Sequence, residues 1–266
     1  VDDSYRFDAG TGEHTQLFRS QAMPLSNGQT IFTHPQHTPI IMPPGPIALR
    51  SFKAEVVDEK NVSVPLSEVY NHHWIIFGSK PNAGVCNGLR YMFGVGAESR
   101  NTPSVYDAPY GLVFKGDERF GGNIHLLHTE NVTSVQNCIE CGWGPEKGCS
   151  KQQTGEFACC QTGSQCTLVP GAFHGQNEKN YYLQYEVKWA DVTPDVVPLE
   201  IYVLDASNCQ VEYNIQASKT EPVHLTQYSW TSRKTGRLIF GVGHQHIGSL
   251  NITLKIAGKP VCTSVP

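Results

Sequence analysis

Apolar and polar residues alternate with a period of two along much of the chain. "IALRSFKAEVV" (47–57) alternates apolar and polar residues, and "VYNHHWIIFG" (69–78) is β-branched and aromatic. "GLRYMFGVG" (88–96), "YGLVF" (110–114) and "GGNIHLLHTENVT" (121–133) follow in the same style. After residue 180 the pattern resumes in "NYYLQYEVKWAD" (180–191), "VPLEIYVLDA" (197–206), "CQVEYNIQA" (209–217), "VHLTQYSWTS" (223–232), "GRLIFGVGHQH" (236–246) and "SLNITLKIAG" (249–258). Gly, Pro and Asn fill the gaps, which is how short antiparallel strands are joined. No long stretch carries apolar residues at i, i+3, i+4 and i+7, so amphipathic helices are not expected. The pattern predicts an all-β protein of packed antiparallel sandwiches.

Two stretches depart from the alternation. Residues 1–45 are rich in Pro, Gly, Gln and Thr and read as an extended N-terminal arm. Residues 136–180 are poor in aliphatics and dense in cysteine, so cross-links rather than a core are expected to hold them. The predicted organisation is an arm (1–45), a first β unit (46–135), a cysteine-rich insertion or connector (136–180) and a second β unit (181–266).

Composition narrows the classes. The net charge is −4, from 20 basic and 24 acidic side chains, with no run of Lys or Arg, so nucleic-acid binding lacks its electrostatic footprint. No stretch approaches the roughly 20 apolar residues of a membrane-spanning helix. All nine cysteines, Cys86, Cys138, Cys141, Cys149, Cys159, Cys160, Cys166, Cys209 and Cys262, are disulfide candidates, and the odd number leaves one over. Glycosylation acceptors of the N-x-[ST] type stand at Asn61, Asn131 and Asn251. Together with a start at "VDDSYRF" these features predict a secreted, extracellular chain. In that setting "CIEC" (138–141) and Cys159–Cys160 read as disulfide partners rather than zinc ligands.

Of the 11 histidines, three groups carry chemistry. In "GVGHQHIG" (241–248), His244 and His246 are two apart, so on a strand both rings face one side and form a chelate suited to Cu or Zn. In "NHHW" (71–74), His72 and His73 are neighbours, which a regular strand sends to opposite faces. Both reach one metal only where the strand ends, twists or bulges. In "NIHLLHT" (123–129), His125 and His128 also face opposite sides, and His125, within the strand-like run, is the preferred third ligand. His34 and His37 sit in a Pro-flanked loop and read as solvated. His14, His174 and His224 have no partner nearby in sequence. No nucleotide loop, G-x-S-x-G elbow, H-E-x-x-H or paired carboxylate suggests another chemistry.

Several segments resemble the plant stress-up-regulated nodulin-type family of secreted proteins: 47–77, "GVC" (84–86), "CCQTGSQC" (159–166), 181–205, "NCQVEYNI" (208–215) and "GVGHQHIG". The stretch 142–158 departs from that pattern. A more distant likeness, in the order His-His, lone His, H-x-H-x-G, is to the copper- and ascorbate-dependent monooxygenases of the peptidylglycine α-hydroxylating type. That likeness implies jelly-roll-like sandwiches and two copper ions, one on His72, His73 and His125, the other on His244 and His246 plus a downstream Met. Here the sequence departs, since Met23, Met42 and Met92 all lie upstream. The expected function is a secreted, redox-active copper-binding protein, with ascorbate as reductant if it turns over a small-molecule or peptide substrate. The alternative is a structural or adhesive extracellular glycoprotein that self-associates through sheet edges or its N-terminal arm.

Overall fold

The computed structural model describes residues 4–86, 88–96, 102–135, 166–172, 176–210, 215–216, 218–245 and 248–265. Within them the chain is all-β. In order come β1 (Arg6–Asp8), β2 (Glu13–Arg19), β3 (Met23–Leu25), β4 (Thr30–Phe32), β5 (Ile47–Val57), β6 (Val69–Phe77), β7 (Ala83–Gly84), β8 (Tyr91–Val95) and β9 (Ser104–Val105). Then follow β10 (Tyr110–Phe114), β11 (Gly121–His128), β12 (Val132–Val135), β13 (Cys166–Leu168), β14 (Lys179–Asp191), β15 (Val197–Pro198), β16 (Tyr202–Val203), β17 (Ile252–Ile256) and β18 (Lys259–Ser264).

Two sheets enclose the core. The larger runs β1-β2-β14-β5-β10-β15, with β3 on β14 and β9 on β5; the smaller runs β4-β11-β6-β8. The period-two pattern explains the packing. On β14, Tyr181, Leu183, Tyr185, Val187 and Trp189 are buried and the residues between them are not. They meet Phe52 of β5 and, from the facing sheet, Trp74, Ile76, Phe93, Ile124 and Leu126. Phe52 stacks flat on Phe93 at 4.4 Å and on Tyr185 at 5.5 Å, so one aromatic column crosses both layers. Full burial of each such side chain is worth about 1.5–3 kcal/mol, so this column contributes to holding the two sheets together.

The structure differs from the sequence expectation in three places. Residues 6–32 are not a loose arm: they supply β1 to β4, and β2 pairs with β14 along seven registered positions, where Phe18 stacks on Tyr185 at 5.6 Å. Polar composition hid this, because strand 13–19 is completed by a neighbour more than 160 residues away. The strand at 179–191, predicted for a second unit, lies between β2 and β5 in the larger sheet. The strands predicted over 223–232 and 236–246 are absent from residues 223–245, where Leu225, Leu238 and Val242 are exposed. Alternation supplies a strand's two faces, but a strand also needs a hydrogen-bonding neighbour. At the cysteine-rich segment, β12 pairs with β13 and so brings positions 135 and 166 together.

Cys86 and Cys209 form a disulfide across 123 residues, next to the parallel β7–β16 pairing. Cys262, expected among the disulfide candidates, is a free and exposed thiol. The side chain of Cys166 and the positions Cys138, Cys141, Cys149, Cys159 and Cys160 lie outside the described residues.

Two tight spots set the loops around the small sheet. A Cβ on Gly121 would come within 2.1 Å of the Pro35 carbonyl oxygen, so only glycine lets the 33–40 loop lie against the start of β11. Glu118, its side chain only 4 % exposed, accepts from Lys80 Nζ at 2.6 Å and from the amides of Lys115 and Gly116 at 2.8 and 2.9 Å. Burial alone would raise its pKa, but these donors outweigh it and hold the carboxyl at about 2, against an ordinary 4.5. A carboxylate depressed on folding stabilises above its unfolded pKa and loses that contribution as pH falls toward the folded value. Glu118→Gln is therefore expected to unfold more easily than the parent at pH 7, with the gap closing as pH drops from 4.5 to about 2. Denaturation midpoints of both proteins across that range check this, and a constant gap would contradict it.

Candidate metal centre

Strand β6 answers why two histidines stand side by side. Its buried positions are Val69 and Asn71, then Trp74 and Ile76, so the inward beat skips once, between 71 and 74. Pairing with β11 shows the cause. His125 faces His73 and Leu126 faces Asn71, which leaves His72 as an extra residue opposite no partner in the ladder. This is a β-bulge, and a bulge turns consecutive side chains toward the same face. His72 and His73 both point away from the core, over the outer face of the small sheet.

His125 meets them there. It lies on β11 two residues from Asn123, and the two share the face opposite to Ile124 and Leu126, which belong to the core. Ring centroids are 4.8 Å apart for His72–His125, 5.4 Å for His73–His125 and 5.2 Å for His72–His73. One nitrogen from each ring can be chosen so that all three lie within 4.8 Å of one another. Two ligands at 2.0–2.1 Å from one ion sit at most about 4 Å apart, so small ring rotations suffice to bring the set onto an ion. His125 is fully buried and the other two half-buried. Phe32 of β4 stands opposite His125 in register and presents its ring in edge geometry to His125 at 4.9 Å and to His73 at 5.7 Å. The cluster is thus walled by an apolar ring on the β4 side.

Hydrogen bonds choose which nitrogens are bare. Asn123 Nδ2 donates to the Thr33 carbonyl at 2.7 Å, which orients the amide and leaves Oδ1 toward His73 Nε2 at 2.8 Å. An amide oxygen only accepts, so His73 carries its proton on Nε2 and keeps a lone pair on Nδ1. His73 Nδ1 is 3.0 Å from His72 Nδ1, and His72 is the donor of that bond. Thr33 is itself fixed: its amide donates to Ile124 O, its hydroxyl donates to Gly122 O, and the hydroxyl accepts from the Ile124 amide, all at 2.9 Å. An ion on His73 Nδ1 would replace the His72 hydrogen bond to that nitrogen, while the His73 tautomer needs no change. A carbonyl–amide–imidazole chain of this kind is how metal sites fix the tautomer and aim of a ligand ring.

His128 is on the other face of β11, as its spacing from His125 requires. Its ring packs against Tyr181 at 5.8 Å, with Nε2 3.8 Å from Glu130. Burial lowers its pKa, opposed in part by Glu130. His34 and His37 are exposed on the 33–40 loop, 5.5 Å apart, and His224 is exposed. His244 is exposed in a segment without strand pairing, and His246 and His174 lie outside the described residues, so the H-x-H geometry is not described. Met23 is a core residue, and Met42 and Met92 pack on the core. Cys86, Asp205 and Cys209 also cluster, but both sulfurs are in the disulfide. Of the glycosylation acceptors, Asn61 and Asn251 are exposed and Asn131 is half-buried. Phe32, Thr33 and Asn123 were not singled out from sequence; for Asn123 the signal was its place two residues before His125 on the same face.

The described structure defines an all-β sandwich with a three-histidine cluster on the outer face of its smaller sheet, a group able to hold a metal ion. A family model for "Stress up-regulated Nod 19" proteins matches residues 11–83 and 77–266, and the chain belongs to that family. No curated protein and no solved structure matches it. The tautomer assignment has a direct check. In metal-free protein, ring-nitrogen NMR shifts should show His73 protonated at Nε2, and Asn123→Leu should abolish that fixed state while leaving His128 unchanged. A His73 protonated at Nδ1 in the parent would contradict the assignment.

Proposed function

We propose that the chain is a secreted copper-binding protein whose described centre is His72, His73 and His125, of the copper monooxygenase-like type in its redox activity. The observation that carries this reading is the β6 bulge, which turns two adjacent imidazoles onto the face occupied by a third. The donor set is three neutral nitrogens with no carboxylate or thiolate, which suits late first-row metals rather than Mg or Ca, and the Irving–Williams order puts Cu(II) above Zn(II) at such donors. Bound copper would supply one-electron chemistry. The chain's own residues would do the rest: Asn123 and Thr33 hold His73 in its ligating tautomer, Phe32 screens one side from water, and His72 releases its hydrogen bond to His73 Nδ1. The same reading assigns His244 and His246 to a second ion and ascorbate to the reductant's role in any turnover. The exposed Asn61 and Asn251 fit glycan attachment and an extracellular location.

A second reading, assembly without turnover, has one observation in its favour: β1 is the outermost strand of the larger sheet, and such an edge offers backbone groups for pairing. Size-exclusion chromatography separates the two, since strict monomers argue against assembly.

Elemental analysis of purified protein after copper loading and dialysis should show retained copper. His125→Ala should remove the equivalent held by the cluster, and Asn123→Leu should weaken its affinity about 10- to 100-fold, the usual effect of losing a partner behind a ligand. Zinc supplied in competition should not displace the copper. Equal copper retention by the parent and His125→Ala would end the reading. Oxygen uptake with ascorbate then distinguishes turnover from storage.

A further inference from the structure

A second chemical arrangement sits at the outer edge of the larger sheet. Cross-strand pairing puts Phe7, His14 and Trp189 in one row across β1, β2 and β14. The His14 ring stacks on Trp189 at 5.3 Å and 15° and packs against Phe7 at 4.8 Å, so it is held between two aromatic neighbours. Tyr5 stacks on the same imidazole at 5.9 Å, and its phenol oxygen lies 2.7 Å from His14 Nδ1. On the other side of the ring, His14 Nε2 is 3.9 Å from the Asp191 carboxylate. That negative charge favours the tautomer with its proton on Nε2, so Nδ1 is the acceptor and the Tyr5 hydroxyl donates.

This geometry bears on one reaction in particular. Removing one electron from a neutral phenol makes a strongly acidic cation, and the step is easier when a positioned base takes the proton as the electron leaves. His14 is such a base, and Asp191 would offset the charge it gains. Other tyrosines are placed differently. Tyr185 is buried, hydrogen-bonded to the Ile41 backbone, and pushed up to about 12 by burial, as is Tyr106. Tyr5 combines a nearby base with an accessible ring, 44 % exposed.

We propose that Tyr5 is an oxidative modification site, at which a peroxidase-class one-electron oxidant fed by hydrogen peroxide joins this chain to a second copy through its own Tyr5. Each phenol gives an electron to the oxidant and its hydroxyl proton to His14 Nδ1, from which water carries it away. Two phenoxyl radicals then form one carbon–carbon bond ortho to their oxygens, and the two ring hydrogens shift to oxygen as the rings re-aromatise. In sum, two phenols and one hydrogen peroxide give one diphenol and two waters. The site stands on the β1–β2–β14 edge and does not depend on the histidine cluster or on copper.

The test treats the purified intact chain with a haem peroxidase and limiting hydrogen peroxide, followed by denaturing electrophoresis and peptide mass mapping. Tyr228, 47 % exposed, is an internal reference of nearly equal accessibility. Tyr5 should be consumed well before Tyr228, and covalent dimers should carry a Tyr5–Tyr5 linkage lacking two hydrogens. His14→Phe keeps an aromatic ring beside Trp189 but removes the base. It should slow Tyr5 consumption about 10- to 100-fold, at or below the low end of what positioned bases contribute, and leave the Tyr228 rate unaltered. Tyr5→Phe should abolish the dimers. Equal rates for Tyr5 and Tyr228 in the parent, an unchanged Tyr5 rate in His14→Phe, or dimers persisting in Tyr5→Phe would each overturn the proposal.

Discussion

The β-bulge at His72 is the constraint on which the candidate centre depends. A strand in regular register can offer one of two adjacent side chains to a given face and must bury the other. With one extra residue opposite β11, the strand keeps Val69 and Asn71 inward on one side of the irregularity and Trp74 and Ile76 inward on the other. The core therefore stays continuous while the outer face gains a ring. Neither sheet layer is interrupted, because the cost of the unpaired ladder position is borne locally and the aromatic column of Phe52, Phe93 and Tyr185 lies on the opposite side of β6.

The loop 33–40 links this face to the rest of the molecule. Gly121 lets it approach β11 closely, Thr33 anchors it by three hydrogen bonds to the backbone of that strand, and Asn123 passes the order on to His73. A residue of low apparent interest, an asparagine amid apolar neighbours, thereby decides which nitrogen of a neighbouring imidazole is bare. Burial makes this effective. Asn123 is 5 % exposed, and a buried amide must satisfy both ends of its side chain, so its orientation is not free.

How far the sequence spoke can be judged from particular residues. The opposite faces of His125 and His128 followed from their spacing alone, and side-chain type and alternation marked strands over 47–57, 69–78 and 121–133, the last of which the structure divides into β11 (Gly121–His128) and β12 (Val132–Val135). The condition under which His72 and His73 could act together was legible, but not whether it was met, because a bulge depends on how two strands 50 residues apart are registered. The four N-terminal strands were hidden, since "EHTQLFR" shows no apolar alternation of its own and owes its strand state to β14. Over 223–245 the alternation was plain and no strand formed, the converse case: a face pattern without a ladder partner.

By itself the sequence determined the periodicity, hence an all-β chain, and the kinds of donor available: many imidazoles and cysteines fit for cross-links. These are local properties, set by side-chain chemistry and the two-residue repeat of extended backbone. Only the tertiary structure decided which donors meet. Convergence of His72, His73 and His125, the tautomer imposed by Asn123 and Thr33, and the contacts of His14 with Trp189 and Asp191 all arise from pairings between segments far apart in the chain. Register is chosen by packing of the whole sandwich and cannot be read from any one strand.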